Sequence, residues 1–445
     1  MKTFRILTLG CKVNQYESEA LAQQFLRAGY RPAEAGESVS VSVVNTCSVT
    51  NMSDRKSRKM IRQCAKDSDM VAVCGCYAQA KSEEAANIEG VDLVIGNGNK
   101  HKLFSLIEKH LQKKEMEIFS KVNLSELTAE TSFDTTPITE YREKTRAILK
   151  IQDGCNSFCS YCIIPYVRGR LRSRNPLEIL EEAKLLAKNG YKEIVLAGIH
   201  VCKYGIDFSD FSASSERLPI QDLTDLLQEL EKIDGICRIR LSSIEPFAFH
   251  DKFFRYYETS KKLCPSFHIS LQSGSDTVIK RMNRHYTADY YLKTVQKLRE
   301  IKPETTVTTD VIVGFPGETE EEFNETLSFI KKVGFLKIHT FPYSRRSGTV
   351  ADSMPDQIPT SVKEKRSKAV IKISEESEKE VLEHYIGKTL SVLAEEPKTA
   401  EKDGMYGLSE NHLPVILEGE GILENHIYQA IPYHTDGTYL YARLS

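Results

Sequence analysis

The 445-residue chain has no stretch approaching the ~18 consecutive apolar residues of a membrane helix, which excludes a helical membrane span. Its first ten residues are too short and strand-like to be a signal peptide. No sign of charge dominates: 60 basic side chains face 62 acidic ones, a formal charge of −2. Overall charge is therefore silent on nucleic acid, and only local clusters of Lys and Arg bear on phosphate contact. No Walker-type phosphate loop is present, since Gly96-Asn97-Gly98 is too short to form one. No hydrolase triad and no internal repeat stand out. With 40% hydrophobic and 27% charged residues, the composition is that of a globular protein, and the length predicts two to four domains. A soluble cytoplasmic protein is expected.

Eleven cysteines are unusual for that compartment. The odd count and several close spacings fit a disulfide framework poorly, and a reducing cytosol would not preserve one. Metal ligation or thiol chemistry is the better starting point.

The pattern divides the chain into four parts. Residues 1–118 alternate strand-like runs (4–9, 39–44, 70–73 and 93–95) with helical ones (17–28, 53–65 and 100–113), which predicts an open parallel sheet covered on both faces. Residues 119–145 are polar, lack a period and read as a linker. Residues 146–375 carry six further strand candidates (146–152, 193–197, 237–242, 267–271, 306–313 and 336–341) separated by helical runs. That series predicts an α/β partial barrel of (β/α)6 type, with its site at the carboxyl ends of the strands. A charged helix is expected over 361–384. The last part, 376–445, ends in five short β-rich runs (389–394, 405–409, 413–417, 427–432 and 439–443), the pattern of a small all-β barrel.

The strongest motif follows the first strand of the second series: Asp153-Gly154-Cys155-Asn156-Ser157-Phe158-Cys159-Ser160-Tyr161-Cys162. Three thiolates in one tight loop can hold a 4Fe–4S cluster while leaving one iron free for an outside ligand, whereas ferredoxin-type carriers use four cysteines. Structural zinc is the competing metal, but it wants four protein ligands, and no fourth stands nearby. The loop resembles the signature of radical S-adenosylmethionine (SAM) enzymes. The wider string through Cys162-Ile163-Ile164-Pro165 and Arg168-Gly169-Arg170 resembles one branch of them, the methylthiotransferases. Leu271-Gln272-Ser273-Gly274-Ser275, Arg281-Met282-Asn283-Arg284 and Asp310-Val311-Ile312-Val313-Gly314-Phe315-Pro316-Gly317 extend the likeness along essentially the whole chain.

The first domain supplies an independent line. Cys11, Cys47 and Cys76 each follow a predicted strand, and in a parallel sheet such positions converge at one edge. Singly, each would pass for a buried structural cysteine. Together they predict a second three-cysteine cluster, and their blocks look like the family's auxiliary-cluster ligands. Cys74 is expected to pack within the sheet, although it could substitute for Cys76. Cys64, Cys202, Cys237 and Cys264 are expected in the core.

The resemblance implies two 4Fe–4S clusters and SAM, one electron from a donor such as flavodoxin or ferredoxin, and cleavage of the sulfonium to a 5′-deoxyadenosyl radical. The radical would take hydrogen from an adenine C–H, and a methylated sulfur on the second cluster would complete the transfer. Hydrogen-atom transfer needs no general acid or base. Gln272, Ser273 and Gly314, at strand ends on the active face, are candidates for SAM contact, and a glycine lets backbone approach a ligand closely.

Two basic clusters flank the cysteine loops: Arg55, Lys56, Arg58, Lys59 and Arg62, and then Arg168, Arg170, Arg172 and Arg174. They could meet a phosphate backbone, or could be solvated faces. The C-terminal part looks like a TRAM domain, an RNA-binding barrel, in which Tyr406, Asn411, His412 and Tyr428 could contact bases or serve turn and core. Gly10–Ser18 and Tyr161–Arg170 look most like the threonylcarbamoyladenosine branch, which implies adenosine 37 in the anticodon loop of transfer RNA. Isopentenyladenosine-37 and a ribosomal protein are the substrates of neighbouring branches, and a zinc-stabilised RNA-binding protein is the non-catalytic alternative. A monomer is expected.

Overall fold

The computed structural model describes residues 2–112, 121–124, 127, 133, 137–138, 141, 145–208, 220–397 and 404–445. Apolar β-branched runs form a first, wholly parallel sheet of six strands: β1 (Thr3–Thr8), β2 (Arg31–Pro32), β3 (Val41–Thr46), β4 (Val71–Gly75), β5 (Leu93–Ile95) and β6 (Val122–Asn123), in the order β2-β1-β3-β4-β5-β6. All residues of β3 and β4 are buried, as expected for a parallel sheet with helices on both faces. Two edge strands of two residues each are additions to the four expected. Pairing with a neighbour creates them, and two residues carry no periodic signal.

The second part begins with β7 (Arg146–Lys150), continues through a short antiparallel pair, β8 (Gln152–Asp153) and β9 (Arg172–Ser173), and then runs through β10 (Glu193–Ala197), β11 (Arg238–Leu241), β12 (Ser266–His268), β13 (Thr306–Val313) and β14 (Lys337–Pro342). Strands β7, β10 and β11 form one parallel sheet and β12, β13 and β14 another. Parallel bridges Ile239–Leu263 and Ile244–Ile269 join them. The result is six parallel strands in chain order, a partial (β/α)6 barrel, with the β8–β9 pair framing the cysteine loop.

Helix Thr360–His384 leaves the barrel and enters a closed barrel of β15 (Leu390–Pro397), β16 (Met405–Ser409), β17 (Pro414–Glu418), β18 (Ile427–Thr435) and β19 (Leu440–Leu444), ordered β15-β16-β17-β19-β18. This helix is continuous across the expected boundary at 375/376. Val370 and Ile373 lie in the large barrel's core and Leu382 in that of the small one.

Helix Lys12–Arg27 is shared in the same way. Leu21, Ala22 and Phe25 pack under the first sheet, whereas Tyr16 and Ala20 join the barrel core. The expected linker lies largely outside the described residues. Within it, Ile138 and Tyr141 are buried in the barrel core, and β6 extends the first sheet, so these parts are packed and not loose. Among the described residues no helix is long and apolar enough to cross a membrane.

Candidate cluster sites and the seam between them

Cys11, Cys47 and Cys76 occupy the loops at the carboxyl ends of β1, β3 and β4. Cys11 caps helix Lys12–Arg27 and Cys76 opens helix Cys76–Ala80. Asn14 gathers two of the loops: its Nδ2 donates to the carbonyls of Leu9 (2.7 Å) and Thr46 (3.0 Å). Gly10, at φ 107°, lies so close to Cys47 that a Cβ there would stand 3.2 Å from its sulfur. Gly75, at φ 94°, has no room for a side chain, because a Cβ would fall 2.4 Å from the Thr46 carbonyl oxygen. Burial pushes the Cys76 thiol up to about 11; Arg168 opposes that shift, while Cys47 and Cys11 add to it. Burial raises Cys47 too, and Cys11 adds to the shift. The three sulfurs are thus within electrostatic reach of one another. Cys74 is buried in β4 among Phe4, Leu93 and Ile95.

The second trio is held from four sides. Gly154, at φ 70°, sits against the chain of Arg170, where a Cβ would meet the carbonyl oxygen at 1.9 Å. The Cys155 amide donates to Gly169 (3.1 Å) and the Ser160 amide to Met282 (3.1 Å), while the Ala351 amide donates back to Ser160 (2.7 Å). Asn283 Nδ2 donates to the Phe158 carbonyl (3.0 Å), where the chain turns through a left-handed φ of 46°. Around the sulfurs, the Ser157 amide donates to Cys155 (3.4 Å), His200 Nδ1 lies 3.4 Å from Cys155, and Arg284 Nη1 donates to Cys159 (3.8 Å). Burial lowers the His200 pKa to about 3, with Lys203 and Arg284 reinforcing the effect, so the imidazole is neutral. Burial and the neighbouring thiols push Cys162 up to about 12.

Between the trios lies a buried charge network. Arg168, 1% exposed, donates to Glu17 (3.0 Å) and Asp153 (3.0 Å) and also to the Asn14 amide oxygen. Lys150 pairs with Glu17 and Asp153, each at 2.8 Å, and Lys100 with Glu17 at 2.5 Å. Burial alone would raise the carboxyls of Glu17 and Asp153. The surrounding cations, chiefly Arg168 for Glu17 and Lys150 for Asp153, reverse this and hold both well below the usual range. Asn97 crosses the same seam, donating to the Val167 carbonyl (2.6 Å) within 3.9 Å of the Cys76 sulfur. Farther out, Arg346 pairs with Asp54 at 2.7 Å.

Several sequence expectations need correction. Arg168 and Arg174 are not phosphate-facing: both are 1% exposed, and Arg174 pairs with Glu182 at 2.6 Å. Their charge is consumed by carboxylates inside the fold. Arg170 is exposed, as are Arg55, Lys56, Lys59 and Arg62, while Arg58 is half-buried and pairs with Glu84. Asn411 is buried, bonding Ser409 and the Glu304 carbonyl, and so fastens the small barrel to the large one. Tyr406 and Tyr428 are half-buried. Cys64 and Cys264 are buried as expected and Cys202 is partly buried, but Cys237 is exposed just before β11.

Of the SAM candidates, Gln272 adopts φ 67° and is held by β13 through its backbone amide and carbonyl. The Ser273 hydroxyl meets Thr326 at 3.1 Å. Gly314, at φ 67°, donates its amide to Glu318 (2.6 Å) and abuts Lys363, whose Cγ would stand 2.4 Å from a Cβ. Phe315, next to it, packs on Tyr161 of the cysteine loop with ring centroids 6.5 Å apart. Sequence reasoning gave no role to His200, nor to Arg284 and Glu17, which it met only as parts of the strings that carry the resemblance. Their signal was positional, since His200 follows β10 and Glu17 lies on the helix that Cys11 opens.

A 4Fe–4S cube carried by three thiolates fits both trios. Each trio presents three free thiols, the first over a glycine cradle and the second with N–H donors at two of its sulfurs. Among the described residues, no three His, Cys, Asp or Glu side chains close on one ion position, so neither trio is drawn together as a mononuclear site draws its ligands.

The chain matches the Radical SAM superfamily over residues 149–330 and the uncharacterized protein family UPF0004 over 3–96. It is 41% identical to the threonylcarbamoyladenosine tRNA methylthiotransferase MtaB of Bacillus subtilis, over 94% of this chain and 91% of that protein. It is 37% identical to the tRNA-2-methylthio-N(6)-dimethylallyladenosine synthase of Pelotomaculum thermopropionicum, over 94% and 92%. Among solved structures, the radical SAM methyltransferase TsrM of Kitasatospora setae shares the fold at TM-score 0.57 and 14% identity, covering 79% of this chain and 74% of that one. With relatives of such identity along nearly its whole length, the chain belongs to the radical SAM methylthiotransferases, enzymes that work with 4Fe–4S clusters and SAM.

Proposed function

We propose that this protein adds a methylthio group to C2 of N6-threonylcarbamoyladenosine at position 37 of transfer RNA. Cys155, Cys159 and Cys162 would hold the SAM-binding cluster and Cys11, Cys47 and Cys76 the auxiliary one. The observation that carries the proposal is the placement of two thiol trios at the carboxyl ends of adjoining parallel sheets, bound across one seam by Arg168. When bound, the clusters and SAM supply radical cleavage and the sulfur to be transferred. The chain's own part is position and electrostatics. Arg284 sets a positive charge beside Cys159, the neutral His200 lies against Cys155, and Arg168 opposes the negative charge gathering at Cys76. Gln272, Ser273 and Gly314 would meet SAM from the β12 and β13 side. The exposed Arg55, Lys56, Lys59 and Arg62, on the helix just after the Cys47 loop, would meet phosphates of the transfer RNA. The substrate assignment draws on relatives at 41% and 36% identity that carry this name.

Nucleoside mass spectrometry of transfer RNA from strains with and without the gene tests the substrate: the 2-methylthio derivative of threonylcarbamoyladenosine should vanish on deletion. Loss of a methylthio-isopentenyladenosine instead would transfer the assignment to that branch. The reconstituted protein should hold about eight irons, and each triple Cys→Ala variant about half of them. A colourless zinc protein would overturn the proposal.

A further inference from the structure

A cavity of about 500 Å³ occupies the lumen of the large barrel. Its walls are Arg240, His268, Thr308 and His339 from the barrel strands. Tyr406 and His412 of the small barrel close its floor, and Lys12 enters from the first domain. The volume is in the range of small-ligand pockets. Its upper end leads toward the second cysteine loop: Ser243, in the lining, meets Ser270 (2.9 Å), whose carbonyl accepts from Arg284 (3.3 Å), the residue at Cys159. Lys12 directly follows Cys11, so the same space borders the first trio.

The cations of this cavity are not all paired with carboxylates. Four cations line it, and three have carboxylate partners: Arg146 with Glu395 (2.5 Å), Arg240 with Glu193 (2.8 Å) and Lys337 with Glu378 (3.1 Å). Asp310, at the cavity's edge, is engaged by His268 at 3.2 Å. Lys12 is exposed and has no carboxylate and no hydrogen-bond partner among the described residues; Arg146 and Arg240 are within electrostatic reach of it, and so is the Cys11 thiol. One exposed ammonium without a carboxylate partner therefore faces this open cavity, next in sequence to Cys11. An ammonium so placed, with cations for neighbours, is stabilised by an anion that arrives with the ligand.

The Proposed function brings in such an anion. Threonylcarbamoyladenosine differs from a plain or prenylated adenosine by a free carboxylate at the end of its N6 substituent. We infer that Lys12 is the specificity residue that binds this carboxylate, and so positions the adenine ring between the two clusters. The inference rests on the substrate proposed above. It makes Lys12 a substrate-binding group with no role in holding iron.

The test uses the reconstituted holoenzyme and one transfer RNA in three forms, bearing at position 37 threonylcarbamoyladenosine, its carboxylate methyl ester, or unmodified adenosine. Binding is read as Kd, and turnover of the first two forms as KM and kcat. For the wild type, esterification should weaken binding by roughly 10- to 100-fold, the value of a charge-assisted hydrogen bond. In Lys12→Gln the free acid should bind no better than the ester, the loss should appear in KM more than in kcat, and the iron content and absorption spectrum should match those of the wild type. Lys12→Arg, which keeps the charge, should restore the preference for the acid. An ester that binds the wild type as tightly as the acid overturns the inference, and this arm holds even if Lys12→Gln loses iron. An equal loss by Lys12→Gln toward all three RNAs also overturns it, because the lysine would then be contacting phosphate. A wild type that methylthiolates none of these RNAs instead removes the substrate assignment on which the inference stands.

Discussion

Replacing Arg168 by Met removes the centre of the charge network at the seam, and the structure sets the size of the effect. Breaking a buried ion pair costs about 3–5 kcal/mol when a charge is left alone. Here the carboxylates are not left alone: Glu17 keeps Lys100 and Lys150, and Asp153 keeps Lys150. The charge loss therefore belongs near about 3 kcal/mol. The Asn14 amide oxygen loses its donor, which adds about 1 kcal/mol. Arg168→Met should lose about 4 kcal/mol, and Arg168→Lys less, since it keeps the charge but not the fork.

Urea unfolding followed by circular dichroism and hydrogen exchange over helix Lys12–Arg27 and strand Arg146–Lys150 would show it. If undocking of the first domain governs exchange there, those amides should exchange roughly 100- to 1,000-fold faster. The acid limb gives a second reading. Glu17 and Asp153 are held below their unfolded values, so their contribution is present above about pH 4.5 and is lost as the pH falls toward the folded pKa values. In Arg168→Met those folded values rise, and the loss of stability in acid becomes shallower. A variant within about 1 kcal/mol of the wild type, with an unchanged acid limb, would refute the claim that Arg168 joins the domains.

Two further outcomes follow from local geometry. Gly75→Ala must place a Cβ 2.4 Å from the Thr46 oxygen at a φ of 94°, so it should lose about half of the roughly eight irons while the Cys155 loop keeps its own; a full iron complement would contradict the cradle. His412 stands at φ 66°, which Asn also tolerates, and burial, with Arg240 and Arg146, holds it neutral well below the ordinary histidine value. Below about pH 6.5 His412 should cost the wild type up to roughly 1.4 kcal/mol per pH unit, in addition to a similar share from the buried His200, and His412→Asn should remove the first share alone; parallel urea midpoints would disprove it.

Legibility in the sequence followed the range of the interaction. The strand series, the closed barrel and both cysteine trios could be read because each rests on local spacing: a run of apolar residues, a punctuating glycine, a cysteine just past a strand. Charge was misread wherever burial decided its use. Arg168 and Arg174 looked like alternate exposed arginines, and only the arrival of Glu17 and Glu182 from distant segments turns them inward. Asn411 and His412 carry the same lesson. Their residue types suit RNA contact, but their place in the β16–β17 turn commits Asn411 to the barrel joint and His412 to the cavity floor.

Those distant pairings also explain how thiol trios carried by separate parts of the fold are held to one another. Helix Lys12–Arg27 carries Cys11 at its cap, Lys12 toward the lumen, Asn14 across the β1 and β3 loops, Tyr16 into the barrel core and Glu17 onto Arg168. Arg168 itself lies six residues after Cys162 and ties back to Asp153, two before Cys155. The path from one thiol trio to the other thus runs through less than two helical turns and one buried guanidinium. A weakly packed linker could not hold the trios at a fixed separation, because inter-domain interfaces move unless they are large or tightly bound. A satisfied buried charge network admits one register between the domains, since any slip leaves a carboxylate or an arginine unpaired at a cost of several kcal/mol. The placement of the two trios relative to each other is therefore set by the ion pairs of the seam as much as by the loops that carry the cysteines.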